Sequence, residues 1–172
     1  MGSIEYALAC QSRRDPAIRS RFFPLASHTL QYNAGMDPLR IVQSQGRTLA
    51  IFVRKGISID TSQFFTSQND AFQFGMFERP AGHSVRPHRH PGITVESRQA
   101  AEFLYIERGE MKVTIFDDAW NVVAEEAFSD GDCMLFLAGG HTVSMLKPTR
   151  FIEVKQGPYP GDAQAKVFRD VS

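Results

Sequence analysis

Residues 86–110 read RPHRHPGITVESRQAAEFLYIERGE. His88 and His90 stand one residue apart near its start, and Glu102 opens its apolar second half. On an extended strand, residues i and i+2 point to the same face. An extended 86–90 segment therefore presents both imidazoles together, with Arg89 on the other side. Pro87 and Pro91 flank the pair and favour that backbone. Taken alone, the two-histidine segment is equally well a polar surface strand. Glu102 begins a second strand that can return beside the first. A carboxylate next to two imidazoles makes a mixed nitrogen and oxygen ligand set, which suits Zn, Fe, Mn or Ni.

Outward from this stretch the chain reads as short strands broken by turns. Upstream lie TLQYN (29–33), LRIVQS (39–44), TLAIFVR (48–54) and FQFGMFE (72–78). Downstream lie EFLYIE (102–107), MKVTIF (111–116), VVAEEAF (122–128), CMLFL (133–137), TVSML (142–146) and RFIEVK (150–155). The Gln45-Gly46 pair reads as a hairpin turn, and RGE (108–110) and DDAWN (117–121) as further hairpin connections. One short helix is expected after Asp15-Pro16, over roughly residues 16–21. The tail ends in a short extended piece, KVF (166–168). Many short strands at this spacing point to an all-β sandwich or barrel.

The bulk numbers narrow the function. At 172 residues the chain suits one domain with a real core. Residues 1–36 read as an N-terminal arm and 37–172 as a single domain with its tail. Lys plus Arg number 19 and Asp plus Glu number 19, so the formal net charge is zero and nothing favours nucleic acid. No apolar run approaches the ~20 residues of a membrane helix, and the N-terminus lacks a signal-peptide layout. The expectation is a cytoplasmic protein with no membrane partner. The only cysteines, Cys10 and Cys133, imply no disulfide framework. CMLFL is apolar throughout, so Cys133 reads as a core residue. The basic cluster Arg13, Arg14, Arg19 and Arg21 reads as a solvated face or a dimer contact.

The spacing Gly82-x5-His88-x-His90, followed by Glu102-x6-Gly109, resembles the first motif of the cupin superfamily. The eleven residues between His90 and Glu102 exceed the family's usual gap. The stretch GDCMLFLAGGH (131–141) resembles the second motif: Gly131 and Gly139 fit, Leu137 stands where the family has proline, and His141 comes one residue early. With RPAGHSVRPHRH and EVKQGPYPG, the chain is similar over roughly residues 37–168 to small bacterial cupins without an assigned activity. The resemblance implies a double-stranded β-helix, or jelly-roll, barrel with extra N-terminal strands and little helix. It also implies one divalent transition metal per chain, held by His88, His90, Glu102 and His141.

Glu96 competes with Glu102 for the carboxylate position, since it lies closer to His90. Seven residues beyond Glu96 stands Phe103, whereas Glu102 leads through one strand into Gly109, seven residues on. That spacing favours Glu102. Arg86 lies two residues before His88 and shares its face if the strand is regular. There it can hold a substrate carboxylate or phosphate, or pair with an acid such as Glu78. Glu96 and Arg98 fall in the long insertion, a potential lid.

Two classes of function follow. In the first the protein is an enzyme of isomerase, epimerase or dioxygenase type, acting on a small polar or anionic metabolite such as a sugar or keto acid. Arg86, Glu96 and Tyr105 are the catalytic candidates, with Glu153 a further possible base. In the second it binds a small molecule through the metal without turnover. The strands in excess of one small barrel suggest a homodimer. Periodicity leaves open whether Tyr105 and Glu107, or Leu104 and Ile106, face inward.

Overall fold

The structure is a computed structural model that describes residues 37–70, 72–92, 99–157 and 160–169. The expected helix at 16–21, the strand at 29–33, the arginine cluster and Cys10 lie outside the described residues.

Among the described residues ten strands carry the fold, and the helix α1 (Asp162–Ala165) is a single turn. All strand pairings are antiparallel. The described residues are thus all-β apart from that turn, and no described helix is long and apolar enough to cross a membrane. A five-stranded sheet has the order β1 (Leu39–Ser44), β2 (Arg47–Val53), β8 (Cys133–Phe136), β5 (Glu102–Arg108), β10 (Arg150–Lys155). A three-stranded sheet has the order β7 (Val122–Ser129), β6 (Glu110–Phe116), β9 (Gly140–Met145). A small ribbon pairs β3 (Ser62–Phe64) with β4 (Gly75–Phe77).

The two larger sheets pack face to face. Ala50 and Phe52 of β2, Leu104 and Ile106 of β5, and Met134 and Phe136 of β8 meet Met111, Val113 and Ile115 of β6 and Ala124 and Phe128 of β7. Phe52 and Phe128 touch edge to face at 4.8 Å. Each such buried ring contributes roughly 2–3 kcal/mol. The central part of the five-stranded sheet's opposite face is also covered. Ile51, Val53 and Cys133 pack beneath Phe65, Phe74 and Met76, and Phe103 of β5 joins them. Phe74 links the layers, with Phe65 at 5.2 Å and Phe103 at 5.4 Å. Central strands β2 and β8 are therefore buried on both faces, which explains their unbroken apolar runs.

The Gln45-Gly46 turn joins β1 and β2 as expected, with φ of 50° and 75°, the left-handed conformation a two-residue hairpin requires. DDAWN closes the β6–β7 hairpin. Asp117 Oδ1 accepts the backbone N–H groups of Ala119 and Asn121 at 2.9 and 2.8 Å. RGE behaves differently from a hairpin. β5 pairs with β8 and β10 while β6 pairs with β7 and β9, so Gly109 turns a corner between sheets. Its φ is 106°, and a Cβ there would stand 2.5 Å from the Pro148 carbonyl oxygen. Two of the four crossings between these sheets, at Gly109 and at Pro148-Thr149, pack directly on each other. In the tail, KVF forms no strand.

On one side the sandwich is tied by charge. Arg40 of β1 pairs with Glu126 of β7. Buried Arg54 donates to Glu126 at 2.5 Å, Asp132 at 3.1 Å and the Ala127 carbonyl at 2.6 Å, and lies 3.8 Å over the Phe128 ring. Asp132 also accepts the N–H groups of Lys55 and Ser129. The network is satisfied throughout, as buried charge requires.

Candidate functional site

Glu102 is the first residue of β5. Its register places it opposite Phe136 of β8 on one side and Lys155 of β10 on the other. Leu104, two residues on, belongs to the core between the sheets, so Glu102 shares that inward face. His141 comes from β9 of the facing sheet, opposite Ile115. The two meet, with His141 Nε2 3.1 Å from Glu102 Oε2. The His141 ring stacks on Phe136 at 4.1 Å and 20°, so an apolar wall fixes the imidazole plane while the carboxylate fixes its edge.

Two more charged groups complete the cluster. Lys155 Nζ lies 3.8 Å from Glu102 Oε1 and also pairs with Glu153. The Glu102 carboxyl is held down at about 2, well below the ordinary 4.5. The hydrogen bond from His141 is the main cause, and partial burial opposes it. The charge of His141, hydrogen bonding with Glu153 and the charge of Lys155 add to the lowering. Glu102 is thus a carboxylate at neutral pH. Next to it, the Ala101 N–H donates to Gln156 Oε1 at 2.6 Å, which anchors the entry to β5 against the exit from β10.

His88 and His90 form the second half of the expected ligand set. Their rings lie 5.1 Å apart at 72°, side by side as extended backbone demands. The segment is exposed and forms no strand; β5 pairs with β8 and β10 instead of returning beside it. His88 Nδ1 lies 2.9 Å from the Arg86 carbonyl oxygen. The structure therefore brings the four expected ligands together as two pairs. Among the described residues, no group of three or more His, Cys, Asp or Glu side chains is gathered as an ion would need.

The other candidates separate. Tyr105 is an odd number of residues from Glu102 and lies opposite Cys133. It faces the outer layer with Phe103, away from His141. Leu104 and Ile106 are the inward set, which answers the question the periodicity left open. Arg86 is exposed beside His88. Glu96 and Arg98 lie outside the described residues. Cys133 is buried, and burial followed by the charge of Asp132 pushes its thiol up to about 11, so it is no nucleophile at neutral pH.

Sequence reasoning passed over Lys155 and Phe136. The signal for Lys155 was present in RFIEVK, where Glu153 and Lys155 share one parity and Ile152 and Val154 the other. Which parity faced inward required the β5 register. Trp120 was also missed. It has a φ of 63°, and its ring covers Gly140, the residue before His141, where a Cβ would stand 2.7 Å from the indole.

No protein-family model matches the chain, and neither a curated protein nor a solved structure matches it.

Proposed function

We propose that the chain is a metal-binding cupin, a jelly-roll barrel holding one divalent transition ion through His88, His90, Glu102 and His141. In this reading it is an enzyme acting on a small polar or anionic metabolite of sugar or keto-acid type. The observation that carries it is the meeting of Glu102 and His141 across two sheets at 3.1 Å. An ionised carboxylate and an imidazole converging on one point, with two further imidazoles side by side at His88 and His90, fit a borderline divalent ion in donor chemistry.

Assembly needs the two pairs to meet. Strand β9 pairs only with β6 among the described residues, so its outer edge offers backbone groups to a further strand. An extended 86–90 segment laid along that edge would set His88 and His90 beside His141. Pro87 and Pro91 are compatible with such an edge position. When bound, the ion supplies polarisation of a carbonyl or enediol, or activation of water or dioxygen. His88, His90, Glu102 and His141 would hold it, with Phe136 stacked on His141 and with Glu153 and Lys155 beside Glu102. Isomerase or epimerase chemistry uses the first property and dioxygenase chemistry the second.

A second reading, metabolite binding without turnover, draws on Glu102 and His141 pairing with each other at 3.1 Å. The proposal also includes a homodimer, with strands beyond the barrel pairing across a two-fold axis. A monomer mass by light scattering at micromolar concentration would refute it. The metal reading is tested by replacing His88 and His90 together with Ala. The parent protein, purified without added metal, should carry about one ion per chain and the double variant none. Stoichiometric metal in the double variant would overturn the assignment.

A further inference from the structure

Strand β10 ends the five-stranded sheet, and no described strand pairs with its outer edge. The register identifies the backbone groups that this edge offers. Ile106 uses its own N–H and C=O on the β8 side, donating to the Asp132 carbonyl and accepting from the Gly131 N–H. Phe151 stands opposite Ile106, so its N–H and C=O point away from β5, and those of Glu153, two residues on, do the same. Side chains alternate between the two faces. Phe151 packs inward on the core, while Ile152 and Val154 lie on the outer face, 52% and 50% exposed, with half-exposed Tyr105 of β5 opposite Ile152. The other end of the sheet is tied down, since Arg40 of β1 pairs with Glu126 of β7. An unpaired edge beside exposed aliphatic side chains is a template for a further strand.

We propose that a second copy of this chain covers the edge, with the two β10 strands antiparallel about a two-fold axis at Val154. This rests on the homodimer reading above and is independent of the metal. Charge selects both the occupant and the register. A lone charge on an edge strand discourages pairing. Glu153 and Lys155, however, carry opposite charges two residues apart on one face, and both reach the surface. With the axis at Val154, Glu153 of each copy stands opposite Lys155 of the other, and the two Val154 side chains meet on the outer face. An axis at Glu153 would set that carboxylate against itself, and an axis at Ile152 would set Glu153 opposite Phe151. The strand is thus self-complementary in one register. Lys155 also lies 3.8 Å from Glu102 Oε1. The second copy therefore brings its Glu153 to the border of the Glu102–His141 cluster, and the two five-stranded sheets join edge to edge.

The test is a charge swap on the full chain, read by light scattering at micromolar concentration. The parent should be a dimer. Glu153→Lys sets lysine opposite lysine, and Lys155→Glu sets glutamate opposite glutamate. Each variant alone should dissociate, with its dimer weakened about tenfold or more. An equimolar mixture of the two restores opposite charges at both positions and should return to dimer mass. Val154→Cys is the second arm, because a non-hydrogen-bonded cross-strand pair has the spacing of a disulfide. Under oxidation it should link two chains, where the parent does not. A parent dimer that persists in both charge variants would overturn the inference, keep the homodimer reading and leave the edge to an occupant other than a second copy. Charge variants that fail to fold would pass the decision to Val154→Cys, and a dimer that does not cross-link there would overturn the register and the inference. A monomeric parent would remove the homodimer reading, and the inference with it.

Discussion

Glu102 and His141 belong to different sheets and meet with Oε2 and Nε2 3.1 Å apart. Neither could reach the other through local structure, because β5 and β9 share no backbone pairing. The face-to-face packing of Leu104, Ile106 and Phe136 against Val113 and Ile115 carries them to the same place.

Glu102 and Glu96 are distinguished by metal content. Glu102→Gln should sharply lower the metal carried per chain, because a neutral amide is a poorer ligand than a carboxylate. Glu96→Gln should leave it intact. Elemental analysis of the two variants side by side decides, and the reverse pattern would transfer the ligand role to Glu96.

The depressed carboxyl of Glu102 links stability to pH. Its folded value, about 2, lies below the ordinary 4.5, so the folded state binds its proton less readily than the unfolded chain. The resulting stabilisation is present above pH 4.5 and is lost as pH falls from 4.5 toward 2. For this partly buried group it amounts to on the order of 2 kcal/mol. Urea unfolding of metal-free protein at pH 6 and pH 3 should show this loss in the parent and a smaller one in Glu102→Gln. Equal losses would rule out Glu102 as a source.

Removing Arg54 should unlock the side of the sandwich where β1 approaches β7. Arg54→Met leaves Glu126 and Asp132 without their shared cation in a buried setting. The expected cost is about 3–5 kcal/mol, read as a lower denaturation midpoint. A change below about 1 kcal/mol would mean that water reaches the two acids.

Gly109→Ala should be among the most damaging small substitutions in the protein. The added methyl meets the Pro148 carbonyl oxygen at 2.5 Å, and the φ of 106° is strained for alanine. A loss of roughly 3 kcal/mol or failure to fold is expected. Gly46→Ala is the control, with a positive φ but nothing within 4 Å, and should cost less.

Much of the β-rich architecture was legible in the residues. Alternating and apolar runs located most strands to within a few residues, and Gln45-Gly46 announced its own turn, because these signals are local. The short strand Ser62–Phe64 was not legible, since its pattern is weak and its place comes from pairing with β4, where Phe64 meets Phe77 edge to face. RGE looked like a hairpin because a tight glycine turn is the same whether the next strand pairs back or crosses to another sheet. That choice is made by the partners of β5 and β6.

For the candidate site, residue type pointed to His88, His90 and Glu102, the resemblance to the cupin motifs implied the set with His141, and extended backbone by itself sets His88 beside His90. Tertiary structure decided the rest. Only sheet packing could bring His141 to Glu102. Only the register of β5 with β8 and β10 could send Tyr105 outward and bring Lys155 to Glu102. The reason is physical: alternation along a strand assigns side chains to two faces, but which face is inside depends on what the sheet is packed against. Here the central strands β2 and β8 are covered on both sides, so hydrophobicity marks neither of their faces as the inner one.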